Sequence, residues 1–143
     1  MNRILVDTNI LVYAVDEDSI FHSAAEQVVR NSEYSLFTTS KNLSEFLVVL
    51  TRGAVAPVPV EDALLLLEDL LENFTVLYPS GSSRKVLEQL LKKYRPRGLK
   101  IHDFEIMSIG LDNGIRRVAT VNKDDFKAVK EIELIELPKR NDS

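Results

Sequence analysis

The chain has 143 residues, of which 45% are hydrophobic and 28% are charged, and its formal net charge at pH 7 is −4. This length suits one globular domain, so we expect residues 1–138 to form a single domain and residues 139–143 to be a frayed tail. The chain has no cysteine, which excludes disulfides and thiolate metal sites. No segment approaches the ~20 apolar residues of a membrane helix, and we expect a cytoplasmic protein. The negative charge disfavours a protein that mainly coats nucleic acid.

The first predicted element is a buried strand at residues 4–6, a short apolar run that ends where Asp7 follows. Apolar residues then recur at helical spacing over 21–32, which predicts an amphipathic helix. Alternation of side chains over 34–38 predicts a second strand.

A second helix is predicted between a cap at Thr39 or Ser40 and the helix breakers Gly53 and Pro57. By the same spacing rules, the later elements are a helix over 60–73, a strand over 74–78, helices over 83–94 and 101–113, and strands over 117–120 and 134–137. Gly114 is expected to close the 101–113 helix as the residue just past its end.

Strands that alternate with helices predict an α/β fold, with three layers (α/β/α) around a central, mostly parallel sheet. In such sheets ligands bind beyond the carboxyl ends of the strands, at the point where the strand order reverses. Asp7 and Asn122 both follow predicted strands closely. We therefore expect both at that edge of the sheet.

The predicted helix over 60–73 is more apolar than a single contact with the sheet requires. Four consecutive leucines follow Ala63, and Leu70 and Leu71 extend the apolar face. We expect part of this face to pack against another subunit in a homodimer.

Oxygen-bearing side chains occur at four places where the predicted fold expects a site. They are Asp7, Glu45, Asp103 and the group formed by Asn122, Asp124 and Asp125. Taken singly, each has a structural interpretation as a turn or helix cap, a polar helix stripe or a charge near a helix N-terminus. Taken together, carboxylates that converge on one cleft repel one another unless a cation neutralises them.

This set of donors predicts a site for Mg²⁺ or Mn²⁺. Both ions prefer carboxylate and water oxygens, and the chain offers only two histidines and no cysteine for a softer metal. A metal in such a site lowers the pKa of a bound water, and a second one stabilises the leaving oxygen of a phosphodiester.

Four segments resemble the acidic motifs of PIN-domain ribonucleases, and together they span nearly the whole chain. They are Val-Asp-Thr-Asn-Ile-Leu-Val-Tyr at 6–13, Asn-Leu-Ser-Glu-Phe at 42–46, Ile-His-Asp-Phe at 101–104 and Thr-Val-Asn-Lys-Asp-Asp-Phe at 120–126. In length and style the chain is most similar to the VapC toxins of toxin–antitoxin pairs. The resemblance implies a PIN-like doubly wound sheet, an endoribonuclease that depends on Mg²⁺ or Mn²⁺, RNA substrates, a homodimer and a VapB-type antitoxin partner.

The resemblance also implies roles for individual residues. Asp7, Glu45 and Asp103 match the three acids that hold metal in the family. Thr120 matches a hydroxyl that is expected to hydrogen-bond within the acidic cluster.

The fourth motif departs from the family pattern, because many relatives have Asp where Asn122 stands. Asn122 is expected to share the face of Thr120 in an extended chain, but a neutral amide cannot balance a cation. Asp124 and Asp125 are both open as the fourth acid. We favour Asp125, since Phe126 beside it is expected to anchor the segment in the core.

Other polar residues near these motifs have structural interpretations. Thr8 and Asn9 are expected to shape the turn after Asp7. Arg52, Arg84 and Lys85 are candidates for contacts with backbone phosphates.

Other protein classes also have an acid directly after a first strand. A haloacid-type phosphatase needs a second Asp two positions after Asp7, where Asn9 stands, and a receiver-like signalling domain needs an adjacent acidic pair after the first strand. A PIN-domain nuclease of RNA processing or decay, without an antitoxin, and a non-catalytic PIN-fold module that binds RNA or protein stay open.

Overall fold

The computed structural model describes residues 2–53 and 56–138. Its central sheet has five strands, all parallel, in the order β3-β2-β1-β4-β5. The strands are β1 (Asn2–Val6), β2 (Tyr34–Thr39), β3 (Phe74–Leu77), β4 (Arg117–Ala119) and β5 (Glu133–Leu134). The predicted α/β/α fold is therefore confirmed, and the sheet is parallel throughout rather than mostly parallel.

Helices cover both faces of the sheet. They are α1 (Thr8–Val15), α2 (His22–Val29), α3 (Ser40–Thr51), α4 (Val60–Leu70), α5 (Gly81–Tyr94), α6 (Lys100–Asp112) and the short α7 (Lys123–Phe126). The central strand β1 sends Ile4 and Val6 into a core shared with α1 to α4, and Leu5 into a second core shared with α5 to α7. Both faces of β1 are thus buried, which explains its uninterrupted apolar sequence.

The strand order reverses at β1. The chain proceeds from β1 to β2 and β3 on one side, then crosses to β4 and β5 on the other side. The switch point lies at the carboxyl ends of β1 and β4, where the backbone N–H of Asp7 donates to the carbonyl of Ala119 at 3.0 Å. This is the edge at which the sequence predicted a site.

Helix α1 is the main element that the sequence analysis did not predict. It begins directly after β1, and the side chain of Asp7 caps it by accepting a hydrogen bond from the backbone N–H of Thr8. The segment 10–15 is apolar throughout, so it shows no periodicity that would separate a helix from a loop.

Several predicted bounds were wrong by a few residues. Helix α2 begins at His22 and ends at Val29, the predicted 60–73 helix becomes α4 followed by a 3₁₀ turn at Leu71–Asn73, and β5 ends at Leu134. The expectation of a frayed tail over 139–143 falls outside the described residues. Within the described ranges, no helix combines the length and the apolar character that a membrane crossing requires.

Gly110 sets the contact between α6 and the sheet. A Cβ at this position would lie 2.9 Å from Cδ2 of Leu5 and 3.4 Å from the carbonyl oxygen of Ile115. The absence of a side chain therefore lets the helix approach β1 closely. Gly114, with φ of 75°, follows the helix as the sequence predicted.

Candidate active site

Asp7 is the centre of the candidate site and is buried, with 6% of its surface exposed. Its Oδ1 accepts hydrogen bonds from the backbone N–H of Thr8 at 2.9 Å and from Nδ2 of Asn42 at 3.3 Å. Its Oδ2 accepts from Oγ1 of Thr120 at 2.8 Å and from Nδ2 of Asn9 at 3.1 Å. Donors from α1, α3 and the end of β4 thus fix both carboxylate oxygens.

The pKa of Asp7 is raised above its ordinary value, chiefly because burial disfavours the charged form. Hydrogen bonds from Thr120, from the Thr8 backbone and from Asn9 act in the opposite direction, and the negative charge of Glu45 adds to the rise. The carboxylate is therefore held in place by hydrogen bonds, and no described residue forms an ion pair with it.

Thr120 and Asn9 connect β4 to Asp7. The Thr120 hydroxyl is buried, donates to Asp7 and accepts from Nδ2 of Asn9 at 3.0 Å. Oδ1 of Asn9 accepts from the backbone N–H of Val121 at 3.2 Å. Asn9 thus bridges the two strands of the switch point, a larger role than the turn-shaping one that the sequence suggested.

Glu45 approaches the site from α3. Its Oε2 accepts a hydrogen bond from the Thr8 hydroxyl at 2.7 Å. That hydroxyl in turn accepts from Nδ2 of Asn42 at 3.0 Å. Thr8, which the sequence analysis assigned to a turn, therefore sets the position of the Glu45 carboxylate relative to Asp7.

Asn42 is a site residue that the sequence analysis missed. It is fully buried, and one amide group serves both Asp7 and Thr8 while its carbonyl oxygen accepts from the backbone N–H and the hydroxyl of Thr39. Thr39 and Asn42 also form the capping box that begins α3. An amide three residues after a Thr cap was the available sequence signal.

Asp103 lies in the first turn of α6 and is half-buried. Burial raises its pKa from 3.8 to about 7, and the charges of Asp7, Asp125 and Glu45 add to the rise, while Lys100 opposes it. Among the residues that the structure describes, none donates a hydrogen bond to the Asp103 carboxylate. The charges of the other three acids therefore act on Asp103.

The structure separates the two acids that were open in the fourth motif. Asp125 is half-buried and its charge acts on Asp103. Asp124 is exposed, pairs with Lys127 at 2.8 Å, and its pKa is lowered by that hydrogen bond. Asp124 therefore points away from the cleft.

Asn122 does not extend the strand as the sequence analysis assumed. β4 ends at Ala119, and Asn122 is the exposed residue that precedes α7. The alternation of faces along a strand consequently does not apply to it. Its backbone N–H donates to the Thr120 hydroxyl at 3.1 Å, so its observed contact with the cluster is through the main chain.

The donor set fits a hard divalent cation. Burial and nearby carboxylates raise the pKa values of Asp7 and Asp103, and neither acid forms an ion pair within the described ranges. Oxygen donors of this kind are those that Mg²⁺ and Mn²⁺ prefer. Within the described ranges, no three His, Asp or Glu side chains converge closely enough to form one coordination shell. The acids therefore fit an ion that takes one or two carboxylates and keeps most of its waters, as Mg²⁺ does.

Comparison with known proteins identifies the chain at the level of its family. The family model for the PIN domain matches residues 4–132. Comparison with curated protein sequences gives no match.

Solved structures share the fold at low sequence identity. VapBC2 from Rickettsia felis, bound to a DNA fragment from its promoter, is 18% identical, with a TM-score of 0.70 over 95% of this chain and 99% of that one. VapBC-1 from nontypeable Haemophilus influenzae is 21% identical, with a TM-score of 0.69 over 94% and 97%. VapC20 of Mycobacterium tuberculosis, a toxin that cleaves the sarcin–ricin loop, is 16% identical, with a TM-score of 0.70 over 88% and 95%. With a family model that covers most of its length, the chain belongs to the PIN-domain family.

Proposed function

We propose that this protein is an endoribonuclease that hydrolyses RNA phosphodiester bonds with the help of Mg²⁺ or Mn²⁺. The proposal is supported by the position of Asp7 at the switch point of the sheet, together with the charges of Asp7, Asp125 and Glu45, which add to burial in raising the pKa of Asp103. Carboxylates that lie close together repel one another, and a bound divalent cation would relieve that repulsion.

In this proposal the four carboxylates hold the cations, and Thr120, Asn9 and Asn42 orient Asp7 by hydrogen bonds. When bound, a divalent ion supplies an activated water and stabilises charge on the phosphate. Thr8 orients Glu45 in the same way. The protein thus contributes position and charge, which are the main requirements of phosphodiester hydrolysis.

Cleavage of single-stranded RNA by the purified chain tests the proposal. We expect cleavage with Mg²⁺ or Mn²⁺, loss of cleavage in EDTA and recovery when metal is restored. An RNA and a DNA of identical sequence distinguish a ribonuclease from a general nuclease, and RNA cleavage that persists in EDTA would refute the metal mechanism.

We further propose that the protein is the toxin of a toxin–antitoxin pair with a VapB-type antitoxin. The support is the shared fold with VapBC complexes from several bacteria. Expression of the chain alone should arrest growth, and co-expression with the product of an adjoining small gene should relieve it. Growth without arrest, from an active enzyme whose gene stands alone, would instead favour RNA processing or decay.

A homodimer is the expected assembly, because α4 leaves a leucine-rich face uncovered. Leu64, Leu65 and Leu66 are 42%, 64% and 39% exposed, and only Ala63 and Leu67 of this helix are buried. Light scattering should give the mass of a dimer, and Leu65→Glu should give that of a monomer. A parent protein that is monomeric at micromolar concentration would contradict the prediction.

A cytoplasmic location also stays a prediction.

A further inference from the structure

A groove of about 760 Å³ leads away from the acidic cluster along α3. Thr8 and Glu45 belong to both the groove and the candidate active site, so the two are continuous. One wall is the face of α3, and the other is the N-terminal end of α6, where Leu99 and His102 lie. A molecule bound in the groove would therefore extend directly into the cluster of carboxylates.

Two cationic side chains, Lys41 and Arg52, line this groove beside the Glu45 carboxylate. Lys41 is fixed in the wall, since its Nζ donates to Glu105 at 2.8 Å and lies 3.5 Å from Nδ1 of His102. Arg52 is exposed at the C-terminal end of α3 and lines the same groove. In the described part of the chain its guanidinium has no ion-pair or hydrogen-bond partner, which leaves its donors free for a ligand.

The spacing between Arg52 and the acids suits a strand that passes through the site. Arg52 follows Glu45 by seven residues on one helix, which places their Cα atoms about 10 Å apart along the axis. A long arginine side chain at that distance reaches a phosphate near the one held by the acidic cluster. Guanidinium groups bind phosphate oxygens with two parallel hydrogen bonds.

Apolar side chains in the groove offer a surface for bases. Val48 is 52% exposed and Leu99 is 83% exposed, and both line the groove. Unpaired bases present flat apolar faces, so a single strand can place its phosphates on the cations and its bases on these side chains.

We infer that this groove binds the single-stranded RNA segment that flanks the scissile phosphate, with Arg52 as its phosphate contact. The inference rests on the proposed function and names the part of the protein that holds the substrate. An acidic peptide or a second copy of the chain would use the same exposed groups, but continuity with the acidic cluster favours the strand that is cut there.

Binding of a labelled single-stranded RNA of about 12 nucleotides to the Asp7→Asn protein in Mg²⁺ tests this inference separately from cleavage. Arg52→Gln should weaken binding roughly three- to tenfold and should reduce the slope of log K against log salt by about 0.7, the value for one lost phosphate contact. Leu99→Ala should weaken binding about twofold without changing the slope.

Arg30→Gln is the matched control, because Arg30 is also an exposed arginine that follows the end of a helix, but it pairs with Glu26 away from the groove. It should leave both the affinity and the slope unchanged. Equal binding by the Arg52→Gln and control proteins would overturn the inference even if the parent cleaves RNA. Binding that depends on Arg52 in a protein whose parent cleaves nothing would instead support the groove and refute the proposed activity. If Arg52→Gln converts a dimer to a monomer while RNA affinity stays the same, the groove is a subunit contact and the inference fails.

Discussion

Asp7 and Asp103 are both acids with a raised pKa, but the protein supports them in opposite ways. Asp7 is buried and accepts four hydrogen bonds, from donors in three separate parts of the chain. Asp103 is half-buried, accepts no hydrogen bond from any described residue, and lies beside three other negative charges. One position is fixed by hydrogen bonds, whereas the other has no hydrogen-bond donor among the described residues.

The proposed metal site would thus combine a carboxylate held by hydrogen bonds, Asp7, with one that has no described hydrogen-bond donor, Asp103. In the proposed metal site, the rigid carboxylate would define where the ion lies, because its donors hold it in one orientation. The unsatisfied carboxylate supplies repulsion that a bound cation or a proton would relieve, so the two would compete for it.

Replacing either carboxylate with an amide gives the largest expected effect and tests the comparison directly. We expect Asp7→Asn and Asp103→Asn each to reduce RNA cleavage by at least ~100-fold, since removal of a metal ligand should exceed the loss of its supporting residues.

Stability should separate the same two variants when metal is absent. Asp7→Asn places an amide N–H₂ against groups that donate, and should lower the free energy of unfolding by about 1–2 kcal/mol. Asp103→Asn removes repulsion and should raise the midpoint of thermal unfolding in EDTA at pH 8. If both variants change stability in the same direction, the contrast between the two acids is wrong.

Truncation of Asn42 should have the next largest effect. Asn42→Ala removes the donor to Asp7 and Thr8 and leaves buried groups without partners, so we expect a ten- to 100-fold loss of activity and about 1–3 kcal/mol of stability. Asn122→Ala is the control, because its exposed side chain forms no described bond with the cluster. Cleavage rates and urea unfolding of both proteins measure the difference, and an Asn42→Ala enzyme with full activity would remove this residue from the site.

Substitution of the two acids of α7 should give cleavage rates that differ by about tenfold. Asp125→Asn is expected to weaken Mn²⁺ binding and cleavage, since its charge acts on Asp103. Asp124→Asn should change neither, because Asp124 is exposed and paired with Lys127. Mn²⁺ titration and cleavage assays of both variants decide between them, and the reverse order would give the fourth acidic role to Asp124.

The smallest expected effect is the change in stability of the metal-free protein with pH. The pKa of Asp103 is about 7 in the fold, against its ordinary value of 3.8, so the folded protein binds a proton in this range more tightly than the unfolded chain. Stability in EDTA should therefore fall as pH rises from about 4 to about 7, and the raised pKa of Asp7 acts in the same direction.

Thermal unfolding at pH 5 and pH 8 measures this trend, and we expect a difference of ~3 °C or more. Asp103→Asn should reduce the difference, and Mn²⁺ should stabilise the parent more at pH 8 than at pH 5. A metal-free protein that is more stable at pH 8 would contradict the prediction.

Much of the fold could be predicted because β1 and α3 follow simple rules. The apolar run of β1 and its abrupt end at Asp7 identify a strand buried on both faces, and alternation of elements then requires a parallel sheet. Helix α1 could not be recognised, since residues 10–15 are apolar throughout and show no helical periodicity.

The acids and one supporting residue of the candidate site were named from the sequence. Asp7, Glu45, Asp103 and Asp125 stood out because they lie in motifs that resemble those of PIN-domain nucleases, and their shared role stays a prediction. Thr120 was expected to hydrogen-bond within the cluster and donates to Asp7. Asn42 did not stand out, because a buried amide becomes recognisable only when the fold places its partners around it. The position of Asn122 was wrong because the length of β4, which ends at Ala119, cannot be read from a short apolar run.

Gly110 allows α6, which carries Asp103, to lie close to β1. A methyl group at this position would force either the Leu5 side chain or the whole of α6 to move, because the gap to Cδ2 is only 2.9 Å. Asp103 lies seven residues earlier on the same rigid helix, about 10 Å along its axis. Lifting the helix from the sheet would carry this carboxylate away from Asp7 and widen the cavity that a cation must span. Gly110, two helical turns from Asp103, would thus influence the distance between Asp103 and Asp7.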